Sequence, residues 1–393
     1  MKRDKNATPP PASALPPAIH PRKRIALLGG ISPAEFMAEY WQKKPLLIRQ
    51  AIPSFTPLLS AFELQAFSAD DAVESRLVTR SGKQWTLQHG PLPEWPPSPP
   101  SSGAWTVLLQ GMDQHSDALR RLLDQFRFVP DARLDDLMIS YASQGGGVGA
   151  HFDSYDVFLL QAAGRRHWRI SAQSDLRLQP NLPLKILKQF VPEDDFILEP
   201  GDMLYLPPSY AHDGVALDAG CQTYSIGFYA PKQNELAACL LQRLAEIASD
   251  ELEDHQSLYQ DPEQSASAKP AQIPAALQAF ARQGLHTLLE QPHLLDEMLG
   301  EFLSEPKASV SFTPSRKKAK WQTLHLARSS RMLFDGRAIY CNGDSWHAAG
   351  ADAKILRQLA NARCLPRAQV ENASAAVQTL LEQWVKQGWA NRE

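Results

Sequence analysis

His151 and Asp153, one residue apart, together with His212 further along the chain, offer two imidazoles and one carboxylate. That donor set holds iron(II) while leaving positions open for a chelating cosubstrate and dioxygen. A closed structural zinc site would want a fourth ligand, often cysteine, and the chain has no Cys-x-x-Cys pair. Side chains on a strand alternate faces, so His151 and Asp153 are expected to project to the same side of one strand. His212 follows the apolar run Met203–Leu206, which reads as a second strand ending at the Pro207-Pro208 turn. A β-barrel would bring the two segments together.

A His-x-Asp triplet by itself is ordinary in a polar loop, and its neighbours give this one weight. Gly145-Gly-Gly-Val-Gly149 precedes it, a run whose missing side chains let backbone approach a ligand closely. Arg165 and Arg166 follow the strand-like run Val157–Gln161. Arginine is the side chain best shaped to grip a carboxylate with two parallel hydrogen bonds. Alternation cannot choose between these two arginines, because a turn at Ala163-Gly164 resets the phase.

The stretch Asp136-Leu-Met-Ile-Ser140 through His151-Phe-Asp153 to Gly164-Arg-Arg166-His-Trp168 resembles the JmjC-type 2-oxoglutarate oxygenases of the bacterial ribosomal oxygenase group. Leu198-Glu-Pro-Gly-Asp202, followed by His212, is similar to that group's second metal segment, and Tyr40–Arg49, Ser75–Val78 and Gln88–Pro91 resemble its opening elements. The resemblance implies that His151, Asp153 and His212 are the iron(II) ligands, with dioxygen as co-reactant. It also implies that Arg166 binds the distal carboxylate of 2-oxoglutarate and that Ser140 donates a hydroxyl to it. Its implied substrate is an arginine side chain of large-subunit ribosomal protein sixteen, hydroxylated at the β-carbon. Histidine hydroxylation or lysine demethylation on another protein would keep the same metal residues. A cupin enzyme working without 2-oxoglutarate would have no need of a deep carboxylate anchor such as Arg166. Asp156, Tyr155 and Asp213, close to the ligands in sequence, are candidates to pair with a guanidinium, and Asp156 could instead buttress a ligating histidine.

At 393 residues the chain exceeds one typical domain of ~100–200 residues, so two or three units are expected. A net charge of −3 gives no general attraction to nucleic acid. Cys221, Cys239, Cys341 and Cys364 show no disulfide or metal framework, as suits small buried residues in a reducing cytoplasm. No run of ~20 apolar residues spans a membrane, and Pro9–Pro11 and Pro16-Pro17 interrupt the place where a signal peptide needs its apolar core. Residues 1–22 read as a disordered tail.

Residues 23–230 hold short strands: Pro45–Ile48, Arg76–Thr79, Gln84–Leu87, Trp105–Leu109, Leu137–Tyr141, Val157–Gln161, His167–Ile170, Met203–Leu206 and Thr223–Phe228. With their Gly and Pro turns they predict a mainly β unit of sandwich or jelly-roll type flanked by helices. The resemblance narrows this to a double-stranded β-helix of the cupin and JmjC kind. Helices are expected over Ser32–Gln42, with Ser32 as N-cap and Pro33 in the first turn, and over His115–Phe126. Residues 231–305 turn helical, at Asn234–Ala248, Ala275–Leu289 and His293–Leu303, with a polar linker at Ser249–Lys269 that includes the acidic run Asp250–Asp254. Family members dimerise through this region, so a homodimer is implied. From residue 306 come the basic Lys307, Arg316–Lys318 and Lys320, then a hairpin of Met332–Phe334 and Ala338–Cys341 about Asp335-Gly336. Helices Asp352–Ala362 and Ser374–Lys386 complete a winged-helix-like unit. No dense basic recognition helix is visible, so sequence-specific nucleic-acid binding is not expected.

Overall fold

The computed structural model describes residues 20–96, 103–251, 258–266, 269–314 and 320–393. All but the end of the expected N-terminal tail, the Arg316–Lys318 run and the larger part of the Asp250–Asp254 run lie outside the described residues. Two compact units meet between Ala230 and Pro231.

The first unit runs α1 (Pro33–Glu39), β1 (Leu46–Ile48), α2 (Ala61–Ser68), β2 (Ser75–Ser81), β3 (Gln84–His89), β4 (Ala104–Leu109), α3 (Asp117–Asp124), β5 (Leu134–Ala142), β6 (Val157–Ala163), β7 (Arg166–Ser171), β8 (Asp194–Leu198), β9 (Met203–Leu206), β10 (Ala211–Ala216) and β11 (Cys221–Phe228). Eight strands form one antiparallel sheet in the order β1-β9-β6-β11-β5-β4-β2-β3, and β10-β7-β8 form a second. The period-two pattern explains how they stack. Val157, Leu159, Leu204 and Leu206 from the large sheet pack against Trp168, Ile170 and Leu198 from the small one. Their sequence neighbours Phe158, Leu160, Met203 and Tyr205 turn the other way, into a larger core shared with Phe36, Leu64 and Leu122 of the helices and Phe126 just after α3. The sheets therefore enclose an interior, as the double-stranded β-helix expectation requires.

Helix α1 starts where expected, because Ser32 Oγ accepts from Glu35 N while a Glu35 carboxylate oxygen accepts from Ser32 N. It ends three residues early. Gln42 takes a left-handed backbone at φ 57°, which a helix cannot continue through. The Gln42 N–H donates to Tyr205 Oη at 2.8 Å, and that hydroxyl donates to Asp156 at 2.6 Å. Gln42 Nε2 also donates to Asp156, and Arg133 stands 3.6 Å from it, so this fully buried carboxylate is satisfied from three sides.

The second unit begins with α4 (Gln233–Glu251), α5 (Ala275–Leu289) and α6 (Pro292–Ser304). Next come β12 (Thr323–Leu326), β13 (Met332–Phe334), β14 (Ala338–Cys341), β15 (Asp344–His347), α7 (Gly350–Ala362), β16 (Cys364–Pro366), α8 (Arg367–Glu371), α9 (Ala375–Gln387) and β17 (Ala390–Arg392). Gly300 lies against the ring of Tyr340, where a Cβ would come within 2.3 Å, and so lets α6 seat on the β13-β14-β15 sheet. Trp384, Leu356 and Leu365 join α9, α7 and β16 into a separate core.

Replacing Tyr205 by Phe should strand the Gln42 N–H and leave Asp156 short of a donor. We expect a loss of about 1–3 kcal/mol, read as a lower midpoint for the urea unfolding of the first unit in the full-length chain.

Candidate metal centre

One pair of backbone bonds assembles the site. His151 N–H donates to His212 O at 2.9 Å and His212 N–H returns to His151 O at 2.8 Å, an isolated antiparallel bridge. A reciprocal pair of this kind puts its two side chains on the same side, and the two imidazole rings lie 4.2 Å apart. The Ser209 N–H donates to Asp153 O at 2.7 Å, tying the carboxylate's residue to the turn before β10.

This differs from the expected layout in two ways. His151 and Asp153 do not lie on one regular strand, since only His151 is bridged and the chain turns through Ser154-Tyr155 before β6. His212, beyond the Pro207-Pro208 turn, sits within a strand of its own, β10, that the sequence reading does not include. The glycines before His151 serve strand approach instead of ligand approach. Gly145 N–H donates to Ala216 O and Ala216 N–H to Gly146 O, both at 2.8 Å, and a Cβ on Gly147 would meet Gly214 O at 2.6 Å.

Ligand atoms of His151, Asp153 and His212 all lie within 4.8 Å of one another, a spacing that could hold one metal ion. Both histidines present the right tautomer. Nδ1 of His151 meets Gly149 O, and Nδ1 of His212 meets Tyr210 O, each at 2.9 Å. A carbonyl only accepts, so both Nδ1 atoms carry hydrogen and each Nε2 keeps a free lone pair. His212 Nε2 lies 3.6 Å from Asp153 Oδ2. Burial, with the neighbouring His151 adding to it, holds the His212 imidazole well below its ordinary proton affinity, against the opposing pull of Asp153. A neutral nitrogen is what a cation needs.

Deeper in the interior, Arg166 is 4% exposed. Its Nη1 and Nη2 reach Gly214 O at 3.4 Å and Ser140 Oγ at 3.5 Å, both long, and its Nε has no acceptor. No carboxylate pairs with it among the described residues. A buried guanidinium so poorly satisfied fits an anion supplied from outside the chain. Arg165, by contrast, faces out and makes a two-pronged pair with Asp218, both bonds at 3.0 Å. Ser140 shares the inward face of β5 with Met138 and Asp136, while Leu137, Ile139 and Tyr141 face the outer core.

Of the guanidinium candidates, Asp156 points away into the Tyr205 and Gln42 network and touches neither ligating histidine. Asp213 is paired with Arg169 on the outer side of the small sheet. Tyr155 does stand beside the site, and burial together with Asp153 and Asp136 pushes its phenol up. Asp136, missed at first, is 3% exposed and accepts from Gln110 Nε2 at 2.8 Å and Gly111 N at 3.1 Å. Two-residue alternation from Ser140 was the signal that could have found it.

The family model of the JmjC domain matches residues 121–236, and that of the ROXA-like winged helix matches residues 287–391. The chain is 32% identical to the ribosomal protein uL16 3-hydroxylase of Escherichia coli over 81% of its own length and 87% of the relative's. It is 37% identical to a probable ribosomal oxygenase of Haemophilus influenzae over 52% of each chain. The structure of the Escherichia coli ribosomal oxygenase YcfD with cobalt and 2-oxoglutarate superposes with a TM-score of 0.76 at 29% identity, covering 92% of this chain and 98% of that one. The same enzyme with cobalt and succinic acid gives a TM-score of 0.75 at the same identity and coverage.

Because the folded state resists protonating His212 while an unfolded imidazole takes up a proton near ~6.5, the metal-free protein should lose stability as the pH falls below that point. The His212→Asn variant should show a shallower loss between pH 7 and 5, measured as the difference in urea midpoints. Parallel slopes would contradict the assigned shift.

Proposed function

The chain belongs to the JmjC-type ribosomal oxygenases, iron(II)- and 2-oxoglutarate-dependent enzymes, and from that premise we propose that it hydroxylates the β-carbon of an arginine in large-subunit ribosomal protein uL16. The observation that carries the reading is the pairing of the His151, Asp153 and His212 cluster with the uncompensated buried cation Arg166.

In this reading His151 and His212 hold iron through Nε2 and Asp153 through one carboxylate oxygen. Bound there, the metal would supply the oxidative chemistry that turns 2-oxoglutarate and dioxygen into succinate, carbon dioxide and a hydroxylated carbon. The chain's part is orientation. Gly149 O and Tyr210 O fix the imidazole rings through Nδ1, so the nitrogens need not reorganise when the ion arrives. Arg166 and Ser140 take the distal carboxylate of the cosubstrate, replacing two long hydrogen bonds with charge-assisted ones. The apolar walls Val157, Leu159 and Leu204 keep water from the interior.

Selection of arginine rests on Asp136 and Tyr155. Asp136 lies on the inward row of β5, two alternations from Ser140, and Tyr155 stands beside it over Gly227, where a Cβ would lie 3.7 Å from Asp136 and 3.9 Å from the Tyr155 ring. A carboxylate and an aromatic face suit the edge and the plane of a guanidinium.

Residues 23–230 act in this proposal as the catalytic domain, residues 231–305 as the dimerisation region and residues 306–393 as the winged-helix-like domain, with 1–22 as a tail. Helix α5 supports a homodimer, because Leu277, Phe280, Leu285 and Leu289 are between 38% and 52% exposed along it. A ribosomal substrate carries with it a cytoplasmic location, and no helix among the described residues is long and apolar enough to cross a membrane. Sequence-specific nucleic-acid binding has no part in it.

The test is to incubate the protein with iron(II), 2-oxoglutarate and ribosomal proteins from cells lacking it, then locate any one-oxygen mass gain. A gain on an arginine of uL16, absent with His151→Ala, is the expected result, and Arg166→Ala should raise the 2-oxoglutarate requirement by at least about ten-fold. A gain on histidine, or loss of a methyl group, would replace the arginine assignment. For the dimer, Phe280→Glu with Leu285→Glu should halve the mass seen by sedimentation.

A further inference from the structure

The register of the small sheet sets out a ladder inside the tube. Strand β7 turns Ile170, Trp168 and Arg166 inward, facing His212, Gly214 and Ala216 of β10 respectively. Each rung is two residues, roughly 7 Å, from the next. The metal-ligating histidine therefore occupies one end of the ladder and Arg166 the other, with Trp168 and Gly214 between them. A short dicarboxylate that touches both ends must pass this middle rung.

Trp168 is built into that rung in a particular way. Its indole lies over Gly214, where a Cβ would come within 2.8 Å of three ring atoms, so the pair works only as large against absent. The ring stands 5.8 Å from the His212 imidazole and 5.8 Å from the Arg166 guanidinium, centroid to centroid and centroid to Cζ. It is 5% exposed, yet its Nε1–H has no acceptor among the described residues. A buried donor left unmade is costly, and native interiors rarely tolerate one without a missing partner. Arg166 Nε, two residues away on the same face, is unsatisfied as well.

We propose that Trp168 is a cosubstrate-binding residue: its indole walls the passage between the metal ligands and Arg166, and its Nε1–H donates to an oxygen of the bound dicarboxylate. This rests on the 2-oxoglutarate reading of the site and assigns it a third donor beyond Arg166 and Ser140. Gly214 belongs to the same device, because any side chain there would displace the ring.

The test uses the full-length protein with Zn(II) as a redox-silent metal. With indole nitrogens labelled, the nine tryptophans give separate indole N–H resonances, and the one lost in Trp168→Phe identifies Trp168. If that variant does not fold, the resonance most broadened by substituting Mn(II) identifies it instead, since the Trp168 ring lies 5.8 Å from the imidazole of His212. Saturation with 2-oxoglutarate should move this resonance downfield. In Trp168→Phe, which keeps the wall and removes the donor, the 2-oxoglutarate dissociation constant should rise on the order of ten-fold, while Zn(II) affinity stays as in the parent. A Trp168 resonance unmoved at saturation overturns the donation. Failure of the parent protein to bind 2-oxoglutarate at all overturns instead the cosubstrate reading beneath it.

Discussion

Two backbone hydrogen bonds between His151 and His212 carry the rest of this structure. They join segments far apart in the chain into one antiparallel bridge, and in doing so bring both imidazoles to one side. Everything around them protects that pairing. The glycines at 145–147 let the His151 segment lie against β10, Ser209 holds the Asp153 backbone, and the two histidines spend their Nδ1 hydrogens on nearby carbonyls. The free Nε2 atoms follow from those commitments. A cation site made this way is set before any ion arrives, which is what ligand preorganisation means in physical terms.

Charge is distributed through the interior with the same economy. Asp156, the fully buried acid three residues beyond Asp153, takes hydrogen bonds from Tyr205 and Gln42 with Arg133 beside it, and Asp213 pairs with Arg169. Arg166 is left out of that pattern. Its guanidinium meets a carbonyl and a hydroxyl at long range and, among the described residues, no acid. Asp156 and Asp213, both turned away from the site, are satisfied within the chain, whereas the inward-facing Arg166 guanidinium is not. His212 and Arg166 lie at opposite ends of one strand pair, β10 and β7.

Much of the architecture was legible as pattern. The runs Val157–Gln161, Met203–Leu206 and Thr223–Phe228 mark strands that the sheet contains, and Ala275–Leu289 reads as a helix with its observed limits. Strand β8, which opens on Asp194-Asp195, and β10, made of Ala-His-Asp-Gly-Val-Ala, escaped notice. Neither carries the β-branched or aromatic alternation by which a strand announces itself. Both are held by pairing to β7 and by burial, and those are properties of the partner strand. Helix α1 was read too long because helical periodicity says nothing of Gln42, whose left-handed turn is held by a hydroxyl from β9.

By itself the sequence determined which chemistry was available: two imidazoles, a carboxylate and a nearby arginine, with types and spacing that suit iron(II) and a diacid. It also determined the local alternation that puts Ser140 on a face with Asp136. Only the tertiary structure decided which arginine turns inward, since a glycine turn at Ala163-Gly164 sets the phase of β7 and Asp218 engages Arg165 outside. It alone removed Asp156 and Asp213 from the site and set Trp168 across from Gly214. The reason is physical: a residue's type fixes what it can bond, but which partner it meets depends on strand register, and register is settled by the packing of whole sheets.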